Sequence, residues 1–306
     1  MVGNITKKAS NQDLSGNRFS ESFGSITLSG RRVSHVSESL GNDYPLIIAI
    51  HGGTYSSAYF DLPGFSLIDR ATNFGIPIIA IDRPGYGNTT PFAPADATIA
   101  KNAECLDDAI GEIWGRYGGK ARGIVLIGHS IGGAITVSIA ARRPSWPLLG
   151  IAISGVGLVT PPESGEQWAA LPNIPMIELP PDMKDQVMFG PDWTFRPDAP
   201  ALSHAADAPV PRAELIDIVT TWPSTVQEIA AKVQVPVHYR QAEFDRLWIT
   251  NTEQVQGFGA ALLNSSKVDA AIFGCVGHCI DFHRLGGAFQ LEQLAFALRC
   301  CVRHEG

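Results

Sequence analysis

The feature that most constrains the fold is an alternation of short apolar runs with helical segments. The runs PLIIAI at 45–50, IPIIAI at 76–81 and GIVLI at 123–127 are continuously apolar, which is typical of strands buried on both faces. A helical pattern follows each run, at about 65–73, 97–117 and 131–142. This alternation predicts an α/β fold with a mostly parallel sheet and helices on both faces.

The remaining elements complete an eight-stranded sheet. Two strands at 23–28 and 31–36 are predicted to form a hairpin turning at Ser29-Gly30. Later strands are predicted at 148–153, 235–240 and 268–273, with helices at 223–232, 252–263 and 287–302. The predicted organisation is a polar tail at 1–22, a core at 23–159 and 214–306, and an inserted lid at 160–213 that lacks strand periodicity.

Composition and charge exclude several classes of function. The chain of 306 residues has a formal net charge of −7, and no run of Lys and Arg indicates a nucleic-acid partner. No stretch approaches about 20 apolar residues, and the N-terminus lacks the apolar core of a secretory signal. We therefore expect no membrane span and a cytoplasmic protein. The polar tail and the terminal helix are compatible with a homodimer.

The motif Gly128-His129-Ser130-Ile131-Gly132 stands between a predicted strand and a predicted helix. A sharp strand-to-helix turn exposes its central side chain, and glycine permits close packing at the corner. The new helix directs its N-terminal N–H groups toward whatever Ser130 attacks. The motif in this context predicts a nucleophilic serine.

A serine nucleophile needs a base, and the base works best when a carboxylate orients it. Two later strands end in suitable residues, Asp245 after one and His278 after the next. Glu243 is a nearby alternative to Asp245, and His283 is an alternative to His278. His278 is favoured because it directly follows the loop of the last strand.

These motifs together resemble the α/β-hydrolase superfamily, in its lid-bearing branch of small esterases, lactonases and thioesterases. The resemblance covers about residues 23–302, excluding most of the lid. It rests on HGG at 51–53, DRPGYG at 82–87, GHSIG at 128–132, EFD at 243–245 and GH at 277–278. It implies that Ser130 is the nucleophile, that His278 is the general base and that Asp245 orients His278.

An oxyanion hole requires two backbone N–H groups aimed at the developing negative charge. One is expected from Ile131, and the other from Gly53 or Thr54 in the turn after the PLIIAI strand. No cofactor is required by this chemistry. The spacing of Cys275, His278, Cys279 and His283 could suggest a metal site, but a metal on His278 would occupy the lone pair that the serine needs. We therefore predict no metal.

The predicted lid is rich in aromatic residues and Met, with few cations. An apolar substrate pocket is predicted from the residues Tyr55, Trp168, Met188, Phe189 and Trp193.

These features predict a serine hydrolase that acts on a small apolar carboxyl ester or lactone through an acyl-enzyme. Thioester substrates use the same triad. Acyl transfer or macrocyclisation, in the manner of thioesterases of natural-product pathways, differs only in whether water reaches the acyl-enzyme. A carbon–carbon bond hydrolase and a non-catalytic binding protein on a hydrolase scaffold are further alternatives.

Overall fold

The computed structural model describes residues 17–302. Within this range eight strands form one sheet and two short strands pair separately. In chain order the strands are β1 (Arg18–Phe23), β2 (Ile26–Val33), β3 (Leu46–Ile50), β4 (Ile78–Ile81), β5 (Ile124–His129), β6 (Leu148–Ser154), β7 (Met176–Ile177), β8 (Val210–Pro211), β9 (Val237–Ala242) and β10 (Val268–Phe273).

The main sheet has the spatial order β1-β2-β4-β3-β5-β6-β9-β10. Every pairing from β4 across to β10 is parallel, whereas β1 and β2 are antiparallel to their neighbours. The predicted mostly parallel, eight-stranded sheet is confirmed. Since parallel strands share a direction, the loops that follow β3, β5, β9 and β10 emerge at one edge of the sheet.

Helices cover both faces of this sheet. They are α1 (Leu67–Asn73), α2 (Ile99–Tyr117), α3 (Ile131–Ala141), α4 (Ser164–Ala169), α5 (Pro181–Met188), α6 (Ala199–Ser203), α7 (Arg212–Ala230), α8 (Thr252–Ala261) and α9 (Gly286–Arg299). In β3, Ile48 and Ile50 belong to the core cluster that includes α2 and α3, and Ile47 and Ala49 belong to the cluster that includes α1 and α9. This two-sided burial explains the continuous apolar runs. Within residues 17–302, no helix has the length and apolarity that a membrane span requires.

The N-terminal hairpin differs from its prediction. β1 occupies residues 18–23, so the end of the predicted tail is a strand, and the chain turns at Gly24-Ser25. Gly24 adopts a φ of 55°, which suits a tight turn. Gly30 instead lies inside β2, where a Cβ would stand 2.2 Å from the carbonyl oxygen of Ala80. The predicted turn at Ser29-Gly30 was wrong because this glycine permits close strand packing. The rest of the tail lies outside the described residues.

The chain between β6 and β9 holds the segment predicted as a lid. Its first part, residues 160–211, contains short helices and the two-residue strands β7 and β8. The helix predicted to start at Pro223 begins at Arg212 and continues through that proline. Proline normally interrupts a helix, but burial of Trp222, whose Nε1 donates to the carbonyl of Gly157 at 3.0 Å, anchors this one.

Candidate active site

Ser130 occupies the corner between β5 and α3. Its backbone has a φ of 55° and a ψ of −125°, a strained conformation for a residue with a side chain. A Cβ on Gly132 would lie 2.2 Å from the carbonyl oxygen of Ile50, so only glycine lets α3 start this close to β3. Ser130 remains partly accessible while its neighbours in β5 and α3 are buried. The predicted strand–serine–helix corner is present.

The loops after β9 and β10 bring Asp245 and His278 together. His278 Nδ1 donates to Asp245 Oδ2 at 2.8 Å, and both side chains are buried. Asp245 also accepts from the N–H of Leu247 at 2.8 Å and from Gln241 Nε2 at 2.8 Å. These bonds fix the carboxylate and thereby orient the His278 ring. The second ring nitrogen of His278 then faces away from Asp245. That nitrogen, Nε2, is buried and has no hydrogen-bond partner within residues 17–302.

Glu243, the alternative acid, has a different role. Its Oε2 accepts from the N–H of Cys275 at 2.7 Å, across the gap between the loops that carry Asp245 and His278. Cys275 has a φ of 61°, so this bond supports a strained turn just before the histidine. The geometry assigns Glu243 to loop support.

His283, the alternative base, is fully engaged in hydrogen bonds. Its Nδ1 donates to the carbonyl of Cys279 at 2.8 Å, and its Nε2 accepts from the N–H groups of Gly190 and Gly277 at 3.1 and 2.9 Å. Burial lowers the pKa of His283 to about 4, which favours the neutral ring that this pattern requires. His283 therefore joins the segment after α5 to the loop of His278.

The same contacts argue against a metal at Cys275, His278, Cys279 and His283. Both nitrogens of His283 are occupied, and Nδ1 of His278 is bonded to the Asp245 carboxylate. Burial raises the pKa of the Cys279 thiol to about 12, which disfavours the thiolate that metals bind. Across residues 17–302, no group of three or more His, Cys, Asp or Glu side chains is arranged to hold a metal.

The loop after β3 carries Gly53 and Thr54, and both residues line a cavity together with Ser130 and Ile131. Ile131 is the first residue of α3, where a backbone N–H has no carbonyl within the helix to bond. The structure thus brings together all the residues predicted for the oxyanion hole. The carbonyl of Thr54 accepts from the N–H of Ala208 at 2.9 Å, which pins this loop to the segment before β8.

A buried ion pair supports the same loop. Arg83 Nε donates to the carbonyl of His51 at 2.9 Å and its second amino group donates to the carbonyl of Gly52 at 3.0 Å. Its remaining amino group donates to Glu214 of α7 at 2.7 Å, and Tyr86 donates to the other Glu214 oxygen at 3.0 Å. Both charged side chains are fully buried. This pair escaped sequence reasoning because 131 residues separate its members.

His51 belongs to this support and not to the reacting groups. Its Nε2 accepts from the N–H of Arg83 at 3.2 Å, and its Nδ1 donates to the carbonyl of Gly52 at 2.7 Å. Burial, with the nearby Arg83 charge, lowers the pKa of His51 to about 3. The ring is therefore neutral and shapes the loop.

The cavity beside Ser130 has a volume of about 40 Å³. Its walls are almost entirely apolar and contain no charged side chain. They comprise Thr160, Trp168, Leu179, Met188, Leu215, Ile218, Val219, Leu247 and Trp248 in addition to the oxyanion-loop residues, Ser130 and Ile131. A larger groove of about 460 Å³ lies between α2, α3 and α7, and it contains none of the residues predicted for the site.

Two of the five residues predicted for the pocket, Trp168 and Met188, line this cavity. Tyr55 and Phe189 do not line it, because they are buried in the core cluster of the opposite sheet face, against aromatic neighbours. Trp193 is 60% exposed, and its ring forms a T-shaped contact with Phe244 at a centroid distance of 5.9 Å. Sequence composition identifies apolar lid residues but not the direction in which each one points.

Most of the walls that sequence reasoning missed come from α7 and from the loop after β9, and the others are Thr160 and Leu179. Leu215 and Ile218 lie in the first turns of α7, which the sequence pattern did not assign to a helix. Trp248 packs over the loop after β6 and donates from Nε1 to the carbonyl of Gly155 at 2.9 Å. The positions of these residues in the cavity arise from tertiary contacts, which the local sequence pattern does not indicate.

Known proteins resemble this chain in sequence over a limited segment. Protein phosphatase methylesterase 1 from Pongo abelii is 32% identical over 116 residues, and the Homo sapiens protein is 31% identical over 116 residues. Each match covers 38% of this chain and 28% of the relative. The chain therefore spans less than a third of the length of these curated relatives.

Solved structures resemble the chain over most of its length. An esterase from Thermogutta terrifontis superposes with a TM-score of 0.68 at 15% identity, covering 93% of this chain and 99% of the esterase. The N-acyl homoserine lactonase AidH superposes with a TM-score of 0.60 at 17% identity, covering 95% of this chain and 99% of the lactonase. At these identities the likeness establishes the fold.

A sequence profile of the Alpha/beta hydrolase family matches residues 47–284, well over half of the chain. That range contains the strand-end loops that carry Ser130, Asp245 and His278. The chain belongs to the alpha/beta hydrolase family and is a hydrolase-type enzyme.

Proposed function

We propose that this enzyme hydrolyses a small, uncharged carboxyl ester or lactone through an acyl-enzyme on Ser130. The observation that carries the proposal is the buried His278–Asp245 pair, whose 2.8 Å bond leaves the second histidine nitrogen unpartnered within the described residues, together with the strained corner at Ser130. A histidine held in this tautomer is suited to accept a serine proton.

The reaction follows from these groups. His278 Nε2 takes the Ser130 proton as Oγ attacks the carbonyl carbon, and Asp245 stabilises the imidazolium that forms. The N–H groups of Ile131 and of Gly53 or Thr54 stabilise the negative oxygen of the tetrahedral intermediate. The intermediate collapses when His278 gives its proton to the leaving alkoxide. Water, activated by the same histidine, then releases the acid and restores the serine.

The cavity supports the substrate class. Its walls present aliphatic and indole groups and no charge, so a charged acyl group would lose its hydration without a partner. A volume of about 40 Å³ holds only a few water molecules, which favours a short acyl group. The similar proteins are named as a methylesterase, an esterase and a lactonase, which agrees with this class.

A series of p-nitrophenyl esters from acetate to octanoate, together with simple lactones, tests the proposal. We expect turnover of the neutral substrates by wild type and a loss of at least about 10³-fold in kcat for Ser130→Ala. Ser138→Ala, a buried serine on the same helix α3, is the matched control and should retain activity. Equal activity of Ser130→Ala and wild type would refute the acyl-enzyme.

A further inference from the structure

Thr54 combines two features that oppose stability. Its φ of 62° lies in the left-handed region, which a β-branched residue rarely adopts. The conformation is held on both sides by the segment before β8, since the N–H of Ser56 donates to Ala206 and the carbonyl of Thr54 accepts from Ala208, each at 2.9 Å. Backbone strain that the surroundings enforce is often found where a protein positions a reacting group.

The Thr54 hydroxyl also opposes the stability of the folded chain. The residue is only 4% exposed, and its Oγ1 has no hydrogen-bond partner anywhere in residues 17–302. A buried hydroxyl without a partner is rare in proteins. Valine would fill the same volume without leaving a polar atom unpaired. The hydroxyl is therefore explained best by a partner that arrives with the substrate.

The location of Thr54 identifies that partner. Thr54 lines the cavity shared by Ser130, Gly53 and Ile131, and most of the other walls are apolar. During acyl transfer the carbonyl oxygen of the substrate becomes an oxyanion, which requires hydrogen-bond donors in this cavity. A hydroxyl can donate to that oxygen, and its bond strengthens as the negative charge develops.

We propose that the Thr54 hydroxyl is a catalytic side-chain donor to the oxyanion, in addition to the backbone N–H groups of the hole. This inference rests on the proposed acyl-enzyme function of Ser130. It assigns to Thr54 a role beyond that of its backbone, and it predicts that the hydroxyl contributes to the transition state more than to ground-state binding.

The test compares Thr54→Val, which keeps the shape and removes the hydroxyl, with Thr54→Ser, which keeps the hydroxyl and removes a methyl group. For hydrolysis of p-nitrophenyl butyrate, Thr54→Val should lower kcat about 10²-fold with KM within about threefold of wild type. Thr54→Ser should stay within about fivefold of wild type in kcat. Thermal unfolding of each variant verifies that the fold persists.

A transition-state mimic gives an independent readout. A trifluoromethyl ketone forms a hemiketal oxyanion on an active serine, so Thr54→Val should weaken its inhibition by about the same factor as kcat. A folded Thr54→Val variant with wild-type kcat would overturn the inference. A loss expressed only in KM would also overturn it, because that pattern indicates ground-state binding.

The failure of this inference is distinguishable from the failure of the proposed function. If a fluorophosphonate labels Ser130 in wild type while Thr54→Val keeps full kcat and inhibitor affinity, only the role of the hydroxyl is refuted. If wild type forms no adduct at Ser130, the acyl-enzyme is refuted, and the proposed role of the Thr54 hydroxyl is refuted as well. A labelled wild type with a slow, folded Thr54→Val variant supports both.

Discussion

The two sides of the candidate active site are built differently. The sheet side places Ser130, Asp245 and His278 at the ends of adjacent or nearby parallel strands, where register fixes their positions. The opposite side comes largely from residues 160–211, whose helices are short and whose strands have two residues each. We therefore expect the chemistry to depend on the sheet side and substrate selection to depend on the opposite side.

Several contacts join the two sides. Glu214 of α7 pairs with Arg83 below the oxyanion loop, and His283 accepts from the N–H of Gly190. Tyr55, next to Thr54 after β3, forms a bridge with Asp207, whose carboxylate pairs with Lys184 of α5. Changes on the sheet side should therefore affect turnover, changes in the joining contacts should affect stability, and changes on the opposite side should affect substrate preference.

The largest effect is expected on the sheet side. Asp245→Asn removes the carboxylate that orients His278 and stabilises its charged form, so kcat should fall about 10³- to 10⁴-fold. For Glu243→Gln, two residues away, kcat should fall only a few-fold, because Glu243 accepts a hydrogen bond from a loop N–H and not from the histidine. Steady-state kinetics on one ester compares the pair. The reverse ranking would move the catalytic acid to Glu243.

The next effect concerns the buried ion pair that joins the two sides. Glu214→Ala leaves the Arg83 charge buried and unpaired, so the free energy of unfolding should fall by about 3–5 kcal/mol. The double variant Arg83→Met with Glu214→Leu removes both charges and should recover part of this loss, because the carbonyls of His51 and Gly52 and the hydroxyl of Tyr86 lose these partners. Urea unfolding measures the free energy of unfolding of the single and the double variant.

The activity of the double variant tests a second role of Arg83. The double variant also removes the donors that hold the carbonyls of His51 and Gly52, so kcat should stay about tenfold below wild type even though part of the stability is regained. A double variant with full activity would show that the oxyanion loop holds its shape without Arg83.

A smaller effect is expected at low pH through His283. Its pKa is lowered to about 4, so between pH 4 and 6.5 the unfolded chain binds more protons and the free energy of unfolding rises with pH. Acidification across this window should therefore cost up to about 3 kcal/mol at this residue. Urea unfolding at several pH values should give a flatter profile for His283→Gln than for wild type.

The exposed His35 provides the control for this titration. Comparison with His35→Gln tests whether the change in slope is specific to His283. An unchanged slope for His283→Gln would contradict the prediction, because it would mean that the folded and unfolded chains protonate His283 equally despite its two accepted N–H bonds.

The smallest effect is expected on the side formed by residues 160–211. Trp168→Ala removes a cavity wall and should raise KM about tenfold for a hexanoyl ester, with little change for the acetyl ester. Trp193→Ala, at an exposed position outside the cavity, should stay within about twofold of wild type for both esters. Equal effects of the two changes would mean that the cavity is not the acyl site.

Sequence reasoning succeeded where local pattern carries the information. The apolar runs specify strands buried on both faces, and a serine, an acid and a histidine at strand ends follow from the same pattern. Arg83, Glu214 and Trp248 were missed because their roles arise only from tertiary contacts. The turn at Ser29-Gly30 was misplaced because glycine serves both tight turns and close strand packing, and the local sequence does not distinguish them.

The roles predicted for the triad depend on one property, the enhanced nucleophilicity of a single serine. The most direct measurement is intact-protein mass after incubation with a fluorophosphonate, for wild type, Ser130→Ala and Ser138→Ala. We expect one adduct on wild type and on Ser138→Ala and none on Ser130→Ala. An adduct on Ser130→Ala, or none on folded wild type, would contradict it.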